Sequence, residues 1–375
     1  MKIKTLKLKN FRNYSELSIN LNSKLNIFIG DNAQGKTNIL ESITVLALTK
    51  SGFNVKDSNL IKFGENFANI SADVDYENTI KNYFIGFDEK SKKVKINNNI
   101  VDNYSDYISR IRLVLFSSFD INLFSSSPSN RRRTLNVSIS QLYKNYLKKM
   151  QKFNFLLKKR NHFLKEVVIN GMDEARKLYF EILNKEFSMV AVDIVFFRKD
   201  YIDSINNIIS KVYEEITGDM GLYLKYSTNI QIDDISSLDS DYFVKLLSQN
   251  YNKDIFYKMT LLGPHRDDYS FILNDSDLSI YGSQGQKRAA VLSLRLSEAI
   301  LIKSVTGDYP VLLLDDIFSE LDIKKRNSLI KYVSDDMQTI ITTTDLKMID
   351  KSLIQKAKIF EIVNGVVKNV NKKEG

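Results

Sequence analysis

The chain opens in alternation. KIKTLKLKNF (residues 2–11) and SELSINL (15–21) place apolar side chains at every second position, the period of a half-buried strand, and LNIFI (25–29) is a short apolar strand. Small and polar residues follow in GDNAQGKT (30–37), which feeds a predicted helix over NILESITVLAL (38–48). ANISADVDY (68–76), TIKNYFIGF (79–87) and KKVKINN (92–98) alternate again and predict a meander of strands. The pattern changes after SSSPS (125–129): residues 131 to 217 hold no proline and one glycine, Gly171. Ile139, Leu142, Tyr146, Met150, Phe153 and Leu157 follow a 3–4 spacing and predict one helix with a single apolar stripe. Leu178, Ile182, Met189, Val192 and Phe196 predict the buried stripe of a second helix, with Lys185 out of pattern. INGMDE (169–174) would turn the second back on the first as an antiparallel pair. From about residue 258 strand and helix alternate again, through YGSQGQKRAA (281–290), VLLLDDIFSELD (311–322) and QTIITTTD (338–345). The expected organisation is an α/β head over residues 1–125 and 258–375, with a mainly helical arm over 126–257 inserted into it.

Charge sharpens the picture of the arm. The 375 residues carry a net charge of +9, but the charge is not spread. From Ile121 to Lys165 there is no acidic residue, while Arg131 to Lys165 holds eleven Lys or Arg, leaving −2 for the rest of the chain (9 minus 11). A concentrated basic segment points to a polyanionic partner, with Arg131, Arg132, Arg133, Lys148, Lys149, Lys158 and Lys159 as candidate DNA contacts. No cysteine is present, which excludes disulfides and thiolate chemistry, and two histidines make a histidine-rich metal centre a poor reading. No apolar run is long enough to span a bilayer, so the cytoplasm, in association with the nucleoid, is the expected location and no membrane partner is expected.

Two motifs carry the chemistry. Gly30-Asp31-Asn32-Ala33-Gln34-Gly35-Lys36-Thr37 fits the Walker A phosphate loop and lies between a predicted strand and a predicted helix. Its glycines let backbone N–H groups turn toward phosphates, Lys36 meets the β- and γ-phosphates, and the Thr37 hydroxyl can ligate Mg²⁺. Val311 to Asp316 is an apolar strand ending in two carboxylates, the Walker B pattern; Asp315 is the candidate Mg²⁺ carboxylate and Asp316 the candidate general base. Thr344, after a further apolar strand, is a candidate γ-phosphate switch. GPHRDD (263–268) reads as a salt-bridged loop rather than a catalytic cluster. Ser283, Gln284, Gly285 and Gln286 open a predicted helix, where backbone donors and the helix dipole favour an anion. One nucleotide needs one phosphate loop. In an ABC-type ATPase such a serine-glycine signature faces the γ-phosphate held by a second subunit, although Gly282 and Gln284 depart from the transporter form LSGGQ.

Taken in order, KNFRNY (9–14), GDNAQGKTNILES (30–42), VLFSSFDINLFSSSPSNRRRTLN (114–136), LLKKRNHFLK (156–165), GPHRDDYSF (263–271), GSQGQKR (282–288) and VLLLDDIFSELD resemble the RecF family, bacterial recombination mediators related to the SMC-like ABC ATPases. The resemblance runs nearly end to end. It implies an ABC-type ATPase head, of mixed sheet with a Walker A lobe and a signature lobe, carrying an antiparallel helical arm. It also implies ATP and Mg²⁺ as cofactors, weak DNA-stimulated hydrolysis and an ATP-bound homodimer. That dimer would clamp double-stranded DNA near single-strand gaps and act with RecR and RecO to promote RecA loading. Arg12 resembles an arginine that reaches the nucleotide in SMC-like relatives. Asn130 and Asn136 stand where the family commonly has acidic residues, and no glutamine in VLFSSFD offers itself as a link to Mg²⁺. The competing reading is an SMC-like ATPase subunit coupled to a separate effector nuclease.

Overall fold

The structure, a computed structural model, describes residues 1–52, 55–77, 79–232, 234–333 and 336–369, and falls into two compact units. The chain runs β1 (Lys2–Phe11), β2 (Tyr14–Asn20), β3 (Leu25–Ile29), α1 (Lys36–Leu48), β4 (Phe67–Tyr76), β5 (Thr79–Asp88), β6 (Lys92–Ile96), β7 (Asn99–Ile100), α2 (Tyr104–Tyr107) and β8 (Leu113–Ser117). It continues with α3 (Pro128–Leu142), α4 (Lys144–Asn170), α5 (Glu174–Thr217), β9 (Leu222–Ser227), α6 (Ser240–Gln249), α7 (Tyr251–Tyr257), β10 (Asp268–Leu273), β11 (Ser276–Asp277) and α8 (Leu278–Tyr281). Last come α9 (Gln284–Thr306), β12 (Val311–Asp315), α10 (Ile317–Glu320), α11 (Ile323–Tyr332), β13 (Thr339–Thr343), α12 (Lys351–Lys356), β14 (Lys358–Val363) and β15 (Val366–Asn369). No helix among the described residues is long and apolar enough to cross a membrane.

The head unit takes Met1–Asn122, Ile208–Met220 and the residues from Ser283 on. It holds two sheets. One, in the order β15-β14-β3-β13-β12-β8, is parallel except for β15. Its central strands LNIFI and VLLLD are near-continuous apolar runs, and TIITT is β-branched throughout and fully buried, because both faces of a parallel sheet are covered. The other sheet is antiparallel, in the order β2-β1-β4-β5-β6-β7, and contains the expected meander. One face of it buries Leu6, Leu8, Ile70, Val74, Ile85 and Val94 in a core shared with α1, which accounts for the alternation in the sequence.

The inserted unit takes Leu123–Asn207 and Gly221–Gly282, so it ends some 25 residues beyond the expected boundary at 257. The reason lies in pairing that sequence pattern does not reveal. Strand β10 pairs antiparallel with β9, and Arg198 of α5 donates to Asp267 at 3.1 Å. Conversely, the last turns of α5 belong to the head, where Ser328 Oγ donates to the Glu215 carbonyl at 3.0 Å.

Within the inserted unit α4 and α5 form the expected antiparallel pair: Phe163 stacks on Phe180 and Phe153 meets Phe187. Two expectations need correction. The stripe from Ile139 to Leu157 is not one helix, because the chain is extended at Tyr143 (φ −123°, ψ 100°) and starts afresh as α4. The stripe on α5 is right only at its far end, where Val192 is buried and Phe196 half-buried. Leu178, Ile182 and Met189 are 61%, 55% and 53% exposed, while Phe180, Leu183, Phe187, Val190 and Ile194 face inward. The GPHRDD loop is salt-bridged as expected, with Asp267 and the guanidinium of Arg198 both buried. Asn136 serves there as a neutral acceptor, its Oδ1 taking hydrogen bonds from Tyr146 (2.5 Å) and Arg198 Nη2 (3.1 Å).

Candidate functional site

In the head, β3, β12 and β8 point their C-terminal ends the same way, the edge where open parallel sheets bind ligands. The phosphate loop leaves β3 at that edge and enters α1. Two of its glycines are required by contact. A Cβ at Gly30 would lie 2.4 Å from the Ile362 carbonyl oxygen, and Gly35, at φ 111°, would meet Asn13 and the Tyr14 hydroxyl within 3 Å. Asn13 Nδ2 donates to the Gln34 carbonyl (2.8 Å), Asn38 Nδ2 donates to Asn13 Oδ1 (2.9 Å), and the Tyr14 hydroxyl donates to the Gly35 carbonyl (3.0 Å). The KNFRNY motif thus braces the loop from behind through Asn13 and Tyr14, residues that the motif contains but sequence reasoning passed over.

A cleft of about 240 Å³ is lined by Asn32, Ala33, Gly35, Lys36, Thr37 and Asn38, by Asp315 and Asp316, and by Ser118 and Phe119 just after β8. Lys36 Nζ donates to the Gly30 and Asp31 carbonyls at 2.6 and 2.7 Å. Burial lowers its pKa, and the nearby Asp316, Asp315 and Asp31 oppose that shift. Thr37 Oγ1 donates to both oxygens of Asp315, at 2.9 and 3.1 Å, and Thr342 Oγ1 donates to Asp315 Oδ1 at 2.7 Å. Burial pushes the Asp315 carboxyl up, while these hydroxyls pull it down. Asp316 sits in the left-handed region (φ 52°), its N–H tied to Thr342 Oγ1 at 3.0 Å, and its buried Oδ1 has no partner.

The donor set fits Mg²⁺. A hydroxyl and a carboxylate side by side offer hard oxygen ligands, and no cluster of three or more His, Cys, Asp or Glu among the described residues forms a cage of its own. A metal here would therefore complete its shell with phosphate oxygens and water.

Other candidates fall elsewhere. Arg12 is committed to structure: its guanidinium grips Glu41 through Nε (2.8 Å) and Nη2 (3.0 Å), and Nη1 donates to the Asn59 carbonyl (2.9 Å). It does not line the cleft. Neither does Thr344; Thr342 is the threonine that touches the Asp315–Asp316 pair. Gln34 turns toward the β14–β15 hairpin, where its side chain accepts from the Asn364 N–H at 2.5 Å.

Ser283 caps α9, its Oγ accepting from the Gln286 N–H (3.2 Å) while Gln286 Oε1 accepts from the Ser283 N–H (2.9 Å), a complete capping box. Ser283, Gln284 and Gly285 are exposed, and none of them lines the cleft of their own chain.

Among the basic candidates, Arg131 forms a two-pronged pair with Asp268 (2.8 and 2.6 Å) and Arg132 donates to the Asp267 carbonyl (2.7 Å). Lys149 pairs with Asp193. Arg133 is half-buried. Part of the +11 segment is therefore neutralised by acids distant in sequence. What stays exposed is a stripe along α4, Lys144, Lys148, Lys152 and Lys159, with Lys158 and Lys165 beside it.

A phosphate loop facing a strand-end acidic pair on a parallel sheet, with a separate helix-capping signature and an antiparallel sheet alongside, defines an ABC-type ATPase head. Known proteins agree on the class and narrow it. The family described as RecF/RecN/SMC N terminal domain matches residues 2–368. The DNA replication and repair protein RecF of Streptococcus agalactiae is 38% identical across all of this chain and 99% of its own length, and that of Macrococcus caseolyticus is 36% identical across 98% and 99%. A solved structure of the recombination mediator protein RecF-ATP in the RecFOR pathway superposes with a TM-score of 0.89 at 30% identity, covering 99% of this chain and 98% of that one. An Smc head domain of Pyrococcus furiosus, 15% identical with a TM-score of 0.51 over 98% and 96% of the two chains, shares the fold. The chain belongs to the RecF family of DNA replication and repair proteins, whose heads are SMC-like ATPases.

Proposed function

We propose that two copies of this chain close on each other around two ATP molecules, and that the closed dimer holds double-stranded DNA near single-strand gaps. In this reading Lys36 leaves the Gly30 and Asp31 carbonyls for the β- and γ-phosphates. Thr37 and Asp315 would hold Mg²⁺, which when bound would supply positive charge to the phosphate oxygens. Asp316, with its unpartnered Oδ1, accepts the proton of the attacking water. Ser283 and the exposed N–H groups behind it meet the γ-phosphate of the other chain. Hydrolysis is slow, stimulated by DNA, and reopens the dimer. The exposed lysines of α4 supply duplex contacts, and the RecFOR setting of related structures suggests RecR and RecO as partners in loading RecA.

The observation that carries this reading is the position of the signature: an exposed helix start, closed by a capping box, that does not line its own chain's cleft and has the backbone donors and dipole that favour an anion. Ser283→Arg tests it. The variant should bind ATP with near-normal affinity yet stay monomeric by light scattering at ATP concentrations that double the mass of the parent. A variant that still doubles its mass would sink the trans arrangement.

A further inference from the structure

The antiparallel sheet of the head has a second face, and it is open: Lys7, Lys9, Phe67 and Lys93 are exposed on it. The strand register arranges this face in rows. Lys7 lies opposite Ser71, Ser71 opposite Phe84, and Phe84 opposite Lys95; in the next row come Lys9, Asn69, Gly86 and Lys93. Lys9 Nζ stands 5.8 Å from the centroid of the Phe67 ring, and Lys95 Nζ 5.5 Å from that of Phe84. Between β1 and β6 these two rows contain no carboxylate, but acids border them: Glu16 of β2 lies opposite Lys9, Asp88 of β5 lies opposite Phe67 and near Lys93, and Asp73 of β4 lies near Lys7. The acids of β4 lie further along, where Asp73 accepts from Thr5 and Asn82 and Asp75 pairs with Lys4. A fully exposed phenylalanine, Phe63, occupies the turn that enters β4.

The face is polar and lysine-rich, with aromatic rings set among the lysines. Its chemistry suits a polyanion that carries exposed planar rings. A duplex hides the faces of its bases; a single strand presents them. We propose that this sheet face is a platform for single-stranded DNA, on which Phe67 and Phe84 stack with bases while Lys7, Lys9, Lys93 and Lys95 meet phosphates. A base arriving on Phe67 would displace the Lys9 ammonium from the ring toward the adjoining phosphate. The proposal rests on the reading that the chain works at gapped DNA, and it names the surface that meets the single strand.

The chain has no tryptophan, so Phe67→Trp installs a single reporter. Measured without ATP, and hence independently of dimer closure, its emission should be quenched saturably by oligothymidine and not by a blunt duplex of equal length. Phe67→Ala should weaken single-strand binding by about 5- to 150-fold. Lys9→Ala and Lys95→Ala should each flatten the single-strand salt dependence by about 0.7 in log–log slope. ATP-dependent duplex binding should persist in all of them. Equal quenching by duplex, or unchanged single-strand affinity in Phe67→Ala, would overturn the platform and leave the dimeric clamp untouched.

Discussion

Arg160→Met should destabilise the inserted unit by about 3–5 kcal/mol, the usual cost of removing one partner of a buried ion pair. The residue belongs to the basic run of α4, yet its side chain is 0% exposed. Nε donates to Asn184 Oδ1 at 2.8 Å, and Nη1 donates to Asp254 Oδ2 at 2.7 Å and to Thr260 Oγ1 at 2.8 Å. The guanidinium lies 5.2 Å from the centroid of Phe180 and 5.8 Å from that of Phe187. Burial pushes its pKa down while Asp254 pulls it up. Methionine preserves most of the stem, so the cavity is small and the loss comes from Asp254, left as a buried carboxylate without its cation.

The same geometry says how to recover the loss. Asp254 Oδ1 accepts from Asn250 Nδ2 (2.9 Å) and the Leu261 N–H (3.0 Å), and asparagine keeps that acceptor while removing the charge. Adding Asp254→Asn to Arg160→Met should therefore restore about 1–3 kcal/mol relative to Arg160→Met alone. Urea unfolding of the four proteins, followed by circular dichroism, reads the cycle. If the two substitutions add within about 0.5 kcal/mol, the pair does not act as a unit and the reasoning fails. Duplex binding by the double variant should keep the parent's salt slope, because a buried guanidinium releases no counterions.

Alanine at Lys148, Lys152 or Lys159 should each lower the log–log salt slope of duplex binding by about 0.9, measured by filter binding between 50 and 200 mM salt. A slope unmoved by all three would remove α4 from the duplex interface. His265 predicts a pH effect. Its Nε2 meets the Thr260 carbonyl at 2.9 Å, its buried Nδ1 has no partner, and burial lowers its pKa. The unfolded chain then takes up the proton first, so stability should fall as pH drops below about 6.5, by at most about 1.4 kcal/mol per unit. His265→Phe should flatten that dependence in urea titrations at pH 7.5 and 5.5, and equal slopes in parent and variant would refute the assignment.

Chemistry that is local in sequence was legible in sequence. The phosphate loop, the acidic pair and the strands around them depend on neighbours within one turn or one strand, and the structure assembles them at one sheet edge. Arg12 was not legible, because its partner Glu41 lies 29 residues downstream on α1. Thr342 was passed over for Thr344 because only the β12–β13 register, which sets Asp315 opposite Thr342, selects between adjacent threonines. On α5 two apolar stripes compete, and the choice between Leu178 and Phe180 rests on what α4 presents to each. The break at Tyr143 carries neither glycine nor proline to mark it. Charge was legible only in part: Asp268, Asp254 and Asp193 claim three of the eleven basic residues, while six lysines stay exposed along α4.

The capping box bears on the proposal that two chains share the nucleotide. It uses the N–H groups of Ser283 and Gln286, but the Ser283 hydroxyl only accepts, so its own proton remains to be donated. The N–H groups of the first helical turn and the positive end of the helix dipole lie on the same exposed side. Around Gly285 there is room: a Cβ there would have Lys325 Nζ, itself paired with Asp322 at 2.8 Å, as its nearest neighbour at 3.8 Å. Each of these donors suits a phosphate, and none of these residues lines the cleft that Lys36 lines. On the dimer proposal ATP then acts as shared ligand, stabilising the closed form in proportion to how much more tightly that form binds it than the open one. Removing the γ-phosphate takes away the group both chains hold in common. Release of DNA should therefore track hydrolysis rather than nucleotide departure, and a non-hydrolysable ATP analogue should keep the dimer on DNA for longer than ATP does.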